Sequence, residues 1–209
     1  MSTSTVTESW FDQAETLVSE LESQSSVEIV VAVASCSGNY RDAQLWSAIV
    51  ATWLTLAAAI LLPVDLPDPN LVLPPLMGLG FAVGYLAARY PLIKYLFVGS
   101  QRKRHQVEEA ALLTFHREHV SATADRTGIL VYLSEEEQEV EFLPDYGVDR
   151  VLPQATWNNL RQSILADPAR WTENLLIEMK KLQPLLNEKL PRKSDDRDEL
   201  PNRPRRVKS

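Results

Sequence analysis

The chain has 209 residues, of which 23% are charged and 45% hydrophobic. That composition excludes a wholly disordered protein, a collagen and a disulfide scaffold. The single cysteine, Cys36, has no internal partner, so the chain can fold in a reducing compartment. A net charge of −7 argues against a nucleic-acid binder, which needs a basic surface.

In chain order, residues 5–23 place Trp10, Phe11, Ala14, Leu17, Val18 and Leu21 on one face at helical spacing, which predicts an amphipathic helix. Val27–Ala34 (VEIVVAVA) is rich in β-branched residues and bounded by serines, which predicts a buried strand. Two stretches of 18 residues without a charge follow, Leu45–Leu62 and Leu71–Ala88. Each spans about 27 Å as a helix, close to a hydrocarbon core of about 30 Å. The linker Pro63–Asn70 is short, polar and proline-broken, as a tight hairpin connection requires. Pro74 and Pro75 are expected to mark the start of the second span, where a missing N–H costs little. Both spans begin more than forty residues into the chain, so neither is expected to be a signal peptide.

The charges set an orientation. The linker carries Asp65 and Asp68 but no Lys or Arg, whereas Arg41, Arg89, Lys94 and Arg102-Lys103-Arg104 lie at the other end of the spans. Basic residues near the ends of spans stay cytoplasmic. The expectation is a multi-pass protein of the cell inner membrane with both termini cytoplasmic. Trp46, Tyr85, Tyr90 and Tyr95 suit an interfacial belt, and RYPLIKYLFVG is expected to ride along that surface. Ser47, Ala51, Thr55 and Ala59 make one stripe of small residues, and Gly80, Gly84 and Ala88 another, so the two spans are expected to pack together.

Beyond the hairpin, residues 105–119 read as a helix, Ile129–Leu133 as an apolar strand, and Glu139–Phe142 as an alternating strand joined to it through the loop SEEEQ. Helices are expected over Gln154–Ala166 and Ala169–Leu190, and a charged, disordered tail from Pro191. The domain reading is therefore α/β, interrupted by a transmembrane hairpin. Residues 1–42 and 99–190 form the cytoplasmic domain, 43–98 the hairpin with its interfacial segment, and 191–209 the tail.

These blocks, in this order, resemble the TPM-domain family. The likeness rests on SSVEIVVAVAS and NYRD, on VEEAALLTFHREHVSATADRTGILVYLSEEEQEVEFLPDYGV, and on the helix around Trp157. It is most similar to the bacterial membrane branch, in which two spans interrupt the domain after its first strand. The resemblance implies a small αβα-type domain. It also implies three kinds of function: acid phosphatase, divalent-cation binder, or accessory factor of a membrane complex. A divalent cation is thus the one candidate cofactor. Members of the family commonly carry the domain outside the cytoplasm, whereas the charges here place it inside.

Candidate chemistry is sparse. In CSGNYR, Cys36 and Arg41 are separated by four residues rather than the five of a cysteine-phosphatase loop, so the thiol reads as inert. His116 and His119 lie one turn apart on the expected helix and are the candidate metal ligands together with Asp145. Glu135-Glu136-Glu137 reads as a solvated hairpin loop without calcium-loop spacing. The candidate catalytic residues are Arg126, Asp145 and Asp42. Arg126 precedes the second strand and Asp145 follows the third, which puts them at one end of an antiparallel pair. They can form a structural salt bridge, or they can hold a phosphate on the Arg fork beside a water- or metal-orienting Asp. Asp42, after the first strand, belongs at the opposite end if strands one and two run parallel. No phosphate-loop, dinucleotide, HExxH or GxSxG motif occurs.

Two functions follow as expectations. One is a two-span inner-membrane protein that presents a TPM-like domain to a partner or to a membrane complex. The other is a metal-assisted phosphatase or hydrolase at the membrane face. The partners are the lipid bilayer and a membrane protein complex, and no nucleic acid.

Overall fold

The computed structural model describes residues 6–62, 68–193 and 199–208. The linker residues 63–67 and tail residues 194–198 lie outside them, so the expectations for those segments are untouched. In chain order the elements are α1 (Glu8–Gln24), β1 (Glu28–Ala34), α2 (Arg41–Leu61), α3 (Pro69–Ala87), α4 (Pro91–Lys94), α5 (Ser100–Arg117), β2 (Gly128–Ser134), β3 (Glu139–Pro144), α6 (Tyr146–Asp149), α7 (Gln154–Leu165), α8 (Trp171–Lys181), α9 (Gln183–Lys189) and β4 (Arg205–Val207). The chain divides into two compact units, Met1–Gly38 with Arg104–Ser209, and Asn39–Lys103.

The first unit is mixed α/β around a four-stranded sheet of order β3-β2-β1-β4. β1 runs parallel to β2, with Glu28 opposite Gly128 and Ala34 opposite Ser134, while β3 returns antiparallel to β2. Every residue of β1 and β2 is buried, because both faces of the sheet are covered. On one face, Ile29, Val31, Val33, Ile129, Val131 and Leu133 join a core with side chains of α1, α7, α8 and α9. On the other, Val30, Ala32, Leu130 and Tyr132 meet Val107, Ala110 and Ala111 of α5. The layering is α/β/α. The single long helix expected over Ala169–Leu190 is two, because Pro184 supplies no N–H and opens α9 instead of continuing α8.

The tail is the main correction to the sequence reading. Residues 205–207 form β4, parallel to β1, with Ala32 opposite Arg205 and Ala34 opposite Val207. Charge and one apolar contact hold this strand: Val207 packs against the α5-side core, and both arginines are paired. Arg205 pairs with Glu118, and Arg206 reaches Glu135 at 3.0 Å and the Val6 carbonyl at 2.9 Å while lying 5.3 Å from the Phe11 ring centroid. Before it, the Leu200 amide donates to Glu28 at 3.0 Å.

The second unit is built on α2 and α3, both long and apolar enough to cross a membrane. Only 11% of the residues in each apolar stretch are buried, so neither is the core helix of a globular unit. They pack through the small-residue stripes. A Cβ added to Gly84 would stand 2.5 Å from the Ala51 Cβ, and one added to Gly80 2.5 Å from the Thr55 Oγ1. Across this contact the Ser47 hydroxyl donates to the Gly84 carbonyl at 3.0 Å. Asp68 caps α3 by accepting from the Asn70 amide at 3.0 Å, and Pro69 takes the first helical position. Pro74 and Pro75 therefore sit inside α3 rather than at its start, and the Asn70 and Leu71 carbonyls lack their usual i+4 amides. After α3, the expected surface-riding segment folds into α4 and buries Lys94.

Candidate functional site

In the α/β unit the carboxyl ends of parallel β1 and β2 converge on two loops, residues 35–38 and 135–138. Parallel α/β sheets bind ligands at such an end. Here the position is filled from within the chain. Glu137 is 3% exposed. Its carboxylate accepts from the Ser37 amide at 3.1 Å, the Gly38 amide at 3.1 Å and the Cys36 thiol at 3.3 Å, and also from the Ser134 hydroxyl. Two successive backbone amides aimed at one point form an anion-binding concavity. Its anion is the Glu137 side chain.

A hydroxyl relay feeds the same carboxylate. The Ser37 hydroxyl donates to Ser134 Oγ at 2.7 Å, which in turn donates to Glu137. The Tyr132 and Ser37 oxygens are 3.0 Å apart, and since Ser37 has given up its proton, Tyr132 is the donor there. Burial pushes the Tyr132 hydroxyl above its ordinary pKa, consistent with a phenol that stays protonated and donates. Cys36 is pushed up to about 12, first by burial and then by the neighbouring Glu137 charge. A thiol so protonated is not a nucleophile, as the Cys–Arg spacing indicates independently.

Glu137 was missed because a run of three glutamates in a loop looks solvated. Its partners at 37 and 38 lie a hundred residues away and use their backbone, which leaves no mark on residue type. Glu135 departs from the solvated reading as well: it accepts from the Val6 amide at 3.1 Å and pairs with Arg206. Beside this network, Ser37 and the α5 residues Gln106, Glu109, Thr114 and Arg117 line a cleft of about 180 Å³. That is below the roughly 300–1,000 Å³ of small-molecule sites.

Arg126 and Asp145 meet at the amino end of β2, the opposite end of the sheet. The guanidinium grips the carboxylate at both oxygens, Nε to Oδ2 at 3.1 Å and Nη2 to Oδ1 at 2.9 Å. Asp145 is 5% exposed, and it also caps α6 by accepting from the Tyr146 amide at 2.8 Å. Its own amide donates to the Gly128 carbonyl at 2.8 Å, and the Gly147 amide to the Arg126 carbonyl at 2.8 Å. A Cβ on Gly147 would stand 2.7 Å from the carbonyl oxygens of both Asp125 and Arg126, so the turn closes only on glycine. Every contact of Asp145 tightens this corner, where Arg126 sits at φ 57°. The arrangement is that of a structural clamp.

The remaining candidates separate. Asp42 belongs to the hairpin unit, where its carboxylate holds Arg102, with Nη2 to Oδ1 at 3.0 Å. His116 is exposed on α5, but α5 ends at Arg117, and His119 lies beyond it in a left-handed conformation at φ 55°. The two histidines therefore do not share a helix face, and no group of three metal-ligating side chains occurs among the described residues. On β3, burial raises the Glu141 carboxyl above its usual range, and its Oε2 is buried without a hydrogen-bond partner among the described residues.

No family model matches the chain, and no curated protein matches it. Among solved structures, the chain is similar to the NMR structure of the BA42 protein from the psychrophilic bacterium Bizionia argentinensis, with a TM-score of 0.60 and 17% identity over 99% of this chain and 99% of that one. At that identity the likeness is one of fold.

Proposed function

We infer that the chain is a two-span protein of the inner membrane that presents a cytoplasmic, TPM-like α/β/α domain as a binding or accessory module for a membrane complex. The observation that carries this reading is the hairpin. Two long apolar helices are closed on each other through Gly80 and Gly84, while large side chains such as Trp53, Leu61 and Leu71 are left exposed. Such a surface needs a hydrocarbon solvent. The excess of cations at the end where α2 begins and α3 finishes supports cytoplasmic termini. A binding rather than catalytic role is supported by the carboxyl end of the sheet, where the anion cradle already holds Glu137, and by the commitment of Arg126 and Asp145 to the α6 corner.

A second reading, a metal-assisted phosphatase or hydrolase at the membrane face, draws on the cleft that Ser37 and Arg117 line. One experiment ranks the two. Membranes containing the tagged full chain are solubilised in mild detergent, the co-purifying proteins are identified, and phosphate-ester hydrolysis is assayed with and without divalent metal. A defined membrane partner without hydrolysis supports the accessory reading. Metal-dependent turnover that is lost on Arg117→Ala supports the enzyme.

A further inference from the structure

In the α/β unit, Trp10 of α1 donates its Nε1 to the Thr172 carbonyl at 2.9 Å, and further along the same helices Glu20 meets Lys180 at 3.4 Å. α1 and α8 therefore run side by side in the same direction. Between them lies an open groove of about 480 Å³. Its apolar lining is Leu17, Leu176 and Ile177, the last 50% exposed. On the α1 wall, Asp12 and Glu20 stand two helical turns apart, about 12 Å at the rise of an α-helix. α1 contains no Lys or Arg. Its carboxylates that reach solvent, Glu8, Asp12, Glu15 and Glu20, meet only two cations among the described residues. Arg203 is shared by the first three at 3.8, 3.9 and 3.6 Å, and Lys180 faces the fourth. The Asp12 side chain stays 69% exposed. The groove thus joins an apolar lining to an acidic wall with more charge than its neighbours balance.

That combination selects its occupant. A second copy on a two-fold axis would set acidic wall against acidic wall, which like charges oppose. Small-molecule sites bury most of their ligand, which an open groove does not. An anionic lipid surface is repelled by the carboxylates. The chain's own basic segment, residues 205–207, already lies on β1. The groove between neighbouring helices takes the ridge of a third, and an amphipathic helix binds by laying its apolar face there. We propose that the α1–α8 groove receives a basic amphipathic helix of an integral membrane protein, with apolar side chains on Leu17, Leu176 and Ile177 and a Lys or Arg at Asp12. Cytoplasmic segments next to membrane spans are the ones enriched in Lys and Arg, and such a segment complements this wall. This occupant rests on the accessory reading above and gives its partner a chemistry.

The test keeps the full, tagged chain in its native cells, with the photo-cross-linker p-benzoylphenylalanine incorporated at Gln13 on the groove rim or, as a control, at the exposed Asn158 of α7. After irradiation, adducts are isolated under denaturing conditions and the cross-linked peptide is sequenced. The expected result is an adduct with an integral membrane protein, several-fold more abundant from Gln13 than from Asn158. Its peptide should be a cytoplasmic segment in which Lys or Arg flanks apolar residues at helical spacing. Asp12→Lys should lower the yield of adduct several-fold while the chain's level in membranes is unchanged. Lys180→Glu, which adds a carboxylate to the same rim, should leave the yield intact or raise it. An adduct with a second copy, a cross-linked peptide without basic residues, equal yields from Gln13 and Asn158, a yield untouched by Asp12→Lys, or one lowered by Lys180→Glu overturns the proposal. No adduct at Gln13 while a membrane protein still co-purifies overturns the groove and leaves the accessory reading standing; with none co-purifying, both fall.

Discussion

Glu137 ties the loop after β1 to the hairpin between β2 and β3, and its environment makes the tie measurable. Glu137→Ala leaves the half-buried Ser37 and Gly38 amides without their acceptor, at a cost toward the lower end of the roughly 1–3 kcal/mol of an orphaned buried group, since water can reach them in part. A lowered denaturation midpoint with the far-UV spectrum preserved is expected; a midpoint within experimental error of the parent would contradict the role given to this carboxylate. Cys36 offers a second check. Burial and the Glu137 charge push its thiol up to about 12 from 9.0, so at pH 8 the reactive thiolate is far scarcer than in the unfolded chain. Iodoacetamide should therefore modify native protein far more slowly than denaturant-unfolded protein. The same shift makes stability fall as pH rises from about 9 toward 12, because the folded thiol keeps a proton that the unfolded one loses, and leaves stability flat in this respect below 9. At the α6 corner, Asp145→Ala removes a helix cap as well as a buried acceptor, and a loss of about 1–2 kcal/mol is expected from the cap alone. Arg126→Ala should cost less, since its guanidinium side chain is 57% exposed. The corner pair was legible because strand order alone places residues 126 and 145 at one end. The Glu137 cradle was not, because backbone amides do the recognising there.

Among the elements, β1, β2 and β3 were legible because each carries its apolar pattern within itself. β4 was not. Its three residues, Arg-Arg-Val, hold no hydrophobic run, and they become a strand through Glu118, Glu135, the open edge of β1 and the packing of Val207 on the α5-side core. Deleting residues 199–209 exposes that edge and removes the Arg206 clamp. The truncated chain should unfold earlier and aggregate on heating, as unpaired edges do; unchanged melting and light scattering would show that β4 adds nothing. In the hairpin unit the small-residue stripes predict their own contact, and the geometry agrees down to the residues involved. Gly84→Leu would drive a side chain into Ala51 and the Ser47 carbonyl, whereas Val83, on the exposed side, has room. Gly84→Leu is expected to lower the yield of protein in membranes several-fold and Val83→Leu to leave it unchanged, both read by quantitative blotting of the membrane fraction. Equal yields would remove the packing role from the stripe. The break between α8 and α9 is hidden in the sequence because Pro184 falls inside an otherwise continuous helical pattern, where only its missing amide marks the stop.

At the scale of the whole molecule, the chain joins two units of unlike surface. An α/β/α unit, assembled from residues on both sides of the hairpin, buries its apolar side chains on both faces of a sheet. Along their apolar lengths, α2 and α3 bury little beyond their contact with each other. That contrast underlies the central claim, that α2 and α3 cross a membrane with the linker on the far side. Averages over the chain conceal it, since a net charge of −7 describes neither the basic end of the hairpin nor its uncharged length. The direct measurement is cysteine labelling in intact cells, with Asn70→Cys placed at the start of α3 in a Cys36→Ser background so that a single thiol is present. A membrane-impermeant maleimide added outside the inner membrane should label Cys-substituted position 70 without permeabilisation, and pre-blocking from outside should abolish later labelling. Labelling that requires permeabilisation of the inner membrane, or recovery of the protein in the soluble fraction, would contradict the claim.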